Sequence, residues 1–258
     1  EAYYEIIERN LKRKIEDCIS KGGSHDDIAE VVYGRWKDKF ICVDLKDSWL
    51  YFDDHKWRNC SKGYILHRSL SGQIKEIFYK YHRIYKREMD KLNDEDKVVE
   101  AEVYDRKQKS AYKIYEDLKN VIFCENIMKS CKLKFHIEKM LDKIDSNKNL
   151  IGFENAVFDL ENNELREGRP DDYITMTTKL HLPIKPNELP LTVKEFQNII
   201  KQRVGKYKKN DKREEVWDTD KWDDINQFYD DFNYELNVAK HIDGCERVIK
   251  TYGISKNN

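Results

Sequence analysis

"LIGFENAVFDLENNELREG", residues 150–168, breaks with the charge-rich helical pattern just upstream of it. Leu150-Ile151, Ala156-Val157-Phe158 and Glu164-Leu165-Arg166 are short β-forming runs separated by loop formers. Asn162-Asn163 suits a hairpin turn, because Asn tolerates the left-handed backbone. Gly168-Arg169-Pro170 closes the segment. The stretch predicts a small antiparallel unit, so it decides between an all-helical chain and a mixed one.

Helical periodicity dominates elsewhere. In "YYEIIERNLKRKIEDCIS", Tyr4, Ile7, Leu11, Ile15 and Cys18 recur at three- and four-residue steps, and Gly22-Gly23 ends the run. Ser24 and Asp27 occupy the two positions of a capping box, opening a second helix with Ile28, Val31, Val32 and Trp36 inward. From Phe40 the pattern changes: "FICVDL", "SWLYFDD" and "HKW" are strand-like and separated by Lys46-Asp47 and Asp53-Asp54, which predicts a meander over about 40–59.

Three long helices are expected next. One carries the stripe Leu66, Leu70, Ile74, Phe78, Tyr81, Tyr85, Met89 and Leu92. A second, from about 96 to 121, turns Val103, Ala111, Ile114, Leu118 and Ile122 inward or to its end. A third, from about 125 to 144, carries Ile127, Cys131, Phe135 and Leu141. Pro183, Pro186 and Pro190 predict an extended connector, followed by a helix around 193–204, a basic run and the acidic "EEVWDTDKWDD". The fold class is α+β: mostly helical, with a short antiparallel meander and a small β-hairpin unit. Its divisions are a helical domain 1–145 with the meander inserted, a β-hairpin joint 146–182, and a connector with a C-terminal helical segment 183–258.

Composition limits function more than it names one. Charged residues make up 38% of the 258 and net charge is −1, so any attraction to nucleic acid has to be local. Cys18, Cys42, Cys60, Cys124, Cys131 and Cys245 form no C-x-x-C pair, which predicts reduced thiols and no metal. No apolar run is long enough to span a bilayer, and the first residues are not a signal peptide; the reading is soluble and intracellular, not secreted. No phosphate-cradling G-x-x-x-x-G-K-[ST] occurs, and no nucleophile stands with its base. A catalytic residue is therefore not assigned. The enzymatic alternative is a metal-dependent nuclease or nucleotidyl transferase built on Asp53, Asp54 and His55, against which Asp gathers in turns for backbone reasons alone.

Local basic chemistry is richest in "YKYHRIYKR", residues 79–87. Helical spacing places Tyr81, Ile84 and Tyr85 towards the apolar stripe and aligns Lys80, Arg83 and Arg87 on another face, which can neutralise phosphates while an exposed Tyr79 stacks a base. Lys129, Lys132, Lys134 and Lys139 form a second candidate, and Lys206, Lys208, Lys209, Lys212 and Arg213 a third. The competing reading of each is a solvated helix face with intrahelical pairs such as Lys86 with Asp90, or His82 and His136 as plain boundary residues.

The run 125–178 resembles the domain that precedes the superfamily-three helicase module in poxvirus-type replicative primase-helicases of large DNA viruses, giant viruses above all, and in phage and plasmid primases. The shared pattern is a lysine-bearing helix, "L-x-G-F-x-N-G-V-x-D-L", then "R-x-G-x-P-x-D-Y-I". It is met here by Leu150, Gly152, Phe153, Asn155, Val157, Asp159, Leu160, Arg166, Gly168, Pro170, Asp172, Tyr173 and Ile174. Trp49 and Trp57 match an upstream "W-x-x-F-x-x-x-x-W". Ala156 and Lys148 depart from the pattern, the first where the family has Gly; if a left-handed backbone is needed there, Asn155 is expected to supply it. The resemblance implies an accessory DNA-binding and assembly domain, non-catalytic by itself, with the hairpin as a structural joint. It implies single-stranded or forked DNA, helicase and primase modules of the same polypeptide or complex, and homo-oligomers as partners. ATP and magnesium are implied only for a downstream helicase module. A pure protein-interaction scaffold is the remaining alternative.

Overall fold

The computed structural model describes residues 2–199 apart from 45, 180, 183, 193 and 197; the side chains at 2–4, 7 and 186 are also outside what is described. Tyr4 and Ile7 of the first stripe, Cys245, most of the 193–204 helix and the 206–213 basic run therefore lie outside the described residues. The chain divides into two compact units, one of residues 1–53 and 57–142, the other joining Asp54–Lys56 to the chain from Lys143 onward. Among the described residues the fold is mostly helical with two antiparallel sheets.

In the first unit, α1 (Ala2–Ser20) turns Ile15, Cys18 and Ile19 inward. Helix α2 (His25–Trp36) starts at the expected box, with the Asp27 N–H donating to Ser24 Oγ and Asp27 Oδ2 accepting the Ser24 N–H. Strands β1 (Phe40–Cys42), β2 (Trp49–Asp53) and β3 (Lys56–Asn59) form the meander in that order, with Asp47 (φ 79°) and Asp54 (φ 56°) in left-handed turn positions.

The stripe from Leu66 is set by an irregularity. Helix α3 (Tyr64–Ser69) passes through a π turn (Leu70–Ile74) into α4 (Lys75–Asp94). Leu66, Leu70, Ile74 and Phe78 are spaced by four, and an α-helix with 3.6 residues per turn would rotate such a series off its face. The π turn absorbs the surplus residue, and all four are fully buried.

Helix α5 (Val98–Asp117) pairs with α4. Its buried line is Ala101, Ala111 and Ile114, with Leu118 just beyond its end, while Val103 is exposed. The expectation that Val103 turns inward therefore fails. Helix α6 (Val121–Phe135) begins four residues earlier than expected, because the Asn120 side chain caps it by accepting the N–H groups of Ile122 and Phe123. Ile122 is consequently exposed on the first turn. The expected continuation to residue 144 is interrupted at His136, which is extended, and α7 (Met140–Lys143) follows the left-handed Lys139. The break resets the phase: Met140 is buried and Leu141 is 73% exposed. Ile84, placed near the stripe by spacing, is also exposed.

The second unit holds β4 (Leu150–Gly152), β5 (Val157–Asp159), β6 (Glu164–Arg166) and β7 (Leu191–Thr192) in sequential antiparallel order. The left-handed Asn163 (φ 55°) closes the β5–β6 turn as expected. Strand β7 was not foreseen, since it is two residues long and follows a proline. It brings the expected connector into the hairpin's core, where Leu182, Ile184, Leu191 and Phe196 pack with Phe153, Ala156, Phe158 and Leu165.

Candidate nucleic-acid interface

Helix α4 buries Phe78 and Tyr85 on one side, and this fixes what its other side presents. Lys80, Arg83 and Arg87 are all exposed. Among the described residues none of the three has an ion-pair partner, and Lys86 is not paired with Asp90. The acid of this helix's first turn, Glu76, pairs with Lys75 at 3.6 Å.

Beside this face, α4 and α5 bring four rings together. Tyr79 lies 4.9 Å from Tyr115 and 5.9 Å from His82, with His82 nearly parallel to it at 26°. His82 lies 5.0 Å from Tyr112, which returns to Tyr115 at 5.8 Å, closing a ring of rings. His82 Nδ1 is 3.1 Å from the Gln108 carbonyl. A carbonyl only accepts, so Nδ1 carries the proton. Tyr112 donates to Glu116 and Glu116 also binds Lys119; that donation to a carboxylate is what first raises the Tyr112 hydroxyl above its usual pKa. Tyr112 and Tyr115 were not singled out in the sequence. Their three-residue spacing, matched by Tyr79 and His82 on the neighbouring helix, is the signal that would have found them.

The α6 lysines are arranged otherwise. Lys134 contacts Asp26 at 3.0 Å and Glu30 at 2.8 Å, and Glu30 also takes Lys14 at 2.6 Å. Those hydrogen bonds, Lys134 first, hold the Glu30 carboxyl below the ordinary range. Lys132 pairs with Asp47. Lys129 is exposed and donates to Asn126, and Lys139 is exposed in its left-handed turn.

The motif residues of the second unit have structural jobs. Gly152 is glycine because a Cβ would sit 2.7 Å from the Met176 carbonyl, and Gly168 because one would sit 2.2 Å from that of His55. Neither Asn155 nor Ala156 is left-handed, so the expectation for Asn155 is corrected. Instead its side-chain amide donates to the Leu182 carbonyl at 2.9 Å and accepts the Leu182 N–H at 2.8 Å. Asp159 accepts the N–H groups of Glu161 and Asn162 and contacts Arg166, whose guanidinium grips Asp172 with two 2.8 Å bonds. Pro170 opens the short turn that carries Asp172, and Tyr173 ends it in a left-handed conformation. Phe153 is buried; in the first unit Trp49 and Trp57 are buried too.

Two of the three groups of the enzymatic alternative are engaged, Asp53 and His55. Asp53 binds Arg58 at 2.7 Å, and His55 Nδ1 accepts the Gly168 N–H at 3.0 Å. Asp44 accepts the Lys46 and Ser48 N–H groups. Among the described residues no three His, Cys, Asp or Glu gather as for a metal, and the five described cysteines are buried free thiols; burial pushes Cys18 and Cys131 up to about 12. No helix of the described residues is long and apolar enough to cross a membrane.

A family model described as "D5 N terminal like" matches residues 29–232. A protein named "Putative helicase" from Acanthamoeba polyphaga mimivirus is 31% identical over 173 residues, 65% of this chain and 17% of the relative. Similarly named proteins of Invertebrate iridescent virus 3 and Invertebrate iridescent virus 6 are 36% identical over 63 residues and 44% over 50. These cover 24% and 19% of this chain but 7% and 5% of those proteins. The chain thus spans less than a fifth of the length of each of these relatives.

Proposed function

The chain belongs to the D5 N-terminal-like family, and from that premise we propose that it is the accessory DNA-binding and assembly domain of a viral replicative primase-helicase, with no catalytic centre of its own. The observation that supports the DNA-binding half is the outer face of α4. Arg and Lys side chains on a helix commonly find carboxylates within a turn, yet Lys80, Arg83 and Arg87 have none among the described residues. Unpaired, exposed cations lose little on meeting phosphate and release counterions from it. The α6 candidate is weaker, because Lys132 and Lys134 would have to give up acids they already hold. The assembly half rests on the relatives, whose greater length leaves room for helicase and primase modules in the same polypeptide and for oligomers. ATP and magnesium belong, in this reading, to such a module.

The test is the salt dependence of DNA binding by the full chain. Each lost phosphate contact flattens the slope of log K against log salt by about 0.7 for a single strand, so replacing Lys80, Arg83 and Arg87 by Ala should flatten it by about two units. The circular dichroism melt should not move, because all three are exposed. An unchanged slope would remove α4 from the interface. Absence of any salt-sensitive binding in the parent chain would favour the scaffold. Metal-dependent turnover of DNA or nucleotides that vanishes with Asp53→Ala plus Asp54→Ala would favour the nuclease.

A further inference from the structure

We propose that the Tyr79, His82, Tyr112 and Tyr115 quartet is a stacking platform for the unpaired bases of single-stranded DNA. This rests on the DNA-binding reading above and specifies the form of DNA and the residues that meet its bases. The same helix pair builds a second aromatic group, and the contrast is informative. Tyr81, Tyr85 and the α5 residue Tyr104 stand ring against ring, with Tyr85 only 6% exposed; burial pushes the Tyr85 hydroxyl well above its usual pKa. That group is packing. The quartet leaves Tyr79 36% and Tyr112 43% exposed, so apolar ring surface stays in water.

Its rings are held before any ligand arrives. His82 is fixed by the Gln108 carbonyl, Tyr112 by Glu116, and Tyr115 by Lys119 and Lys75, whose ammonium groups lie 4.2 and 5.7 Å from its centroid. A preordered surface spends little entropy on binding. Beside it is a depression of about 330 Å³ lined by His82, Gln108, Lys109, Tyr112 and Lys113.

Charge selects the occupant. Three nearby acids are already engaged: Glu116 by Lys119, Asp105 by Lys109 and Glu76 by Lys75. Lys80, Arg83 and Lys113 have no acid partner among the described residues. Part-exposed rings with unpaired cations on both helices match a polyanion that carries flat groups. In a duplex those flat faces are stacked away, whereas every unpaired base has one to offer.

The experiment measures binding of the full chain to a labelled oligo-dT strand and to a duplex of equal length. Tyr79→Leu with Tyr112→Leu should weaken strand binding about tenfold or more, the scale of base stacking on aromatic rings, and leave the salt slope and duplex binding unchanged. Tyr79→Phe with Tyr112→Phe, which keeps both rings, should bind the strand like the parent. In the unaltered protein, a strand carrying 5-iodouracil should photocrosslink at Tyr79 or Tyr112; this arm needs no variant to fold. Strand binding unchanged in the leucine variant, or no adduct between residues 75 and 119, overturns the platform. If that happens while the Lys80, Arg83, Arg87 variant still flattens the slope, the DNA-binding reading survives alone. If the parent shows no salt-sensitive binding to either form, both fall.

Discussion

Leu66, Leu70, Ile74 and Phe78 run through the first unit as a continuous, fully buried apolar line. The second unit has strands of two or three residues and ties them down with polar side chains: Asn155 to the Leu182 backbone, Asp145 to Thr175 and Met176, Arg166 to Asp159 and Asp172. Short strands supply few ladder bonds, so side chains have to finish the work of the backbone. One unit should therefore respond to loss of volume and the other to loss of a hydrogen-bonding group.

The largest effects should be of similar size and opposite character. Phe78→Ala empties a fully buried site and should cost about 3–5 kcal/mol. Arg166→Ala leaves the Asp159 and Asp172 carboxylates, 11% and 8% exposed, without their cation, and should also cost about 3–5 kcal/mol. Hydrogen exchange resolved by segment would report each loss in its own unit. If Arg166→Ala left protection across residues 150–178 unchanged, the polar account of the second unit would be wrong.

Next comes backbone proximity. Gly168→Ala places a methyl 2.2 Å from the His55 carbonyl, and backbone has to move. About 1–3 kcal/mol is expected, read from the midpoint of urea unfolding. Asn155→Ala should cost about 1–3 kcal/mol in the same assay, because the Leu182 N–H and carbonyl lose their partner together.

These responses also separate what could be read in the sequence from what could not. The apolar stripe, the Ser24 cap and the turns at Asp47, Asp54 and Asn163 depend on neighbours within a few residues, and they were legible. Ala101 and Ala111 are buried where Val103 is exposed, because which face of a helix is covered depends on its neighbours and not on hydrophobicity. Asn155 reaches across 27 residues to Leu182, and no local pattern announces that. The candidate interface divides the same way. Spacing located Lys80, Arg83 and Arg87 on an outer face, but whether a lysine finds an acid on another element is a tertiary fact, and Lys134 found two. The ring quartet needed both helices in register before it could be seen.

The smallest effect tests that difference between α4 and α6. Lys134 is 18% exposed, while its partners Asp26 and Glu30 are 68% and 44% exposed, so solvent screens the pairing and its worth should be under about 1 kcal/mol. Lys134→Met, which keeps much of the stem's volume, should lower stability by no more than that at pH 7. The sign with pH follows from Glu30. Its pKa is lowered in the folded state, first by Lys134 and then by Lys14, so its contribution is present above the unfolded value of about 4.3 and disappears as pH falls through the lower folded value. Parent and variant should accordingly differ at neutral pH and converge on acidification, because a protonated Glu30 no longer distinguishes an ammonium from a thioether. Urea midpoints measured across the acid range would show the convergence. A gap that stayed constant with pH would mean that Lys134 contributes through its packed stem and not its charge. Lysine content on α6 would then say as little about its stability as it does about its freedom to meet phosphate.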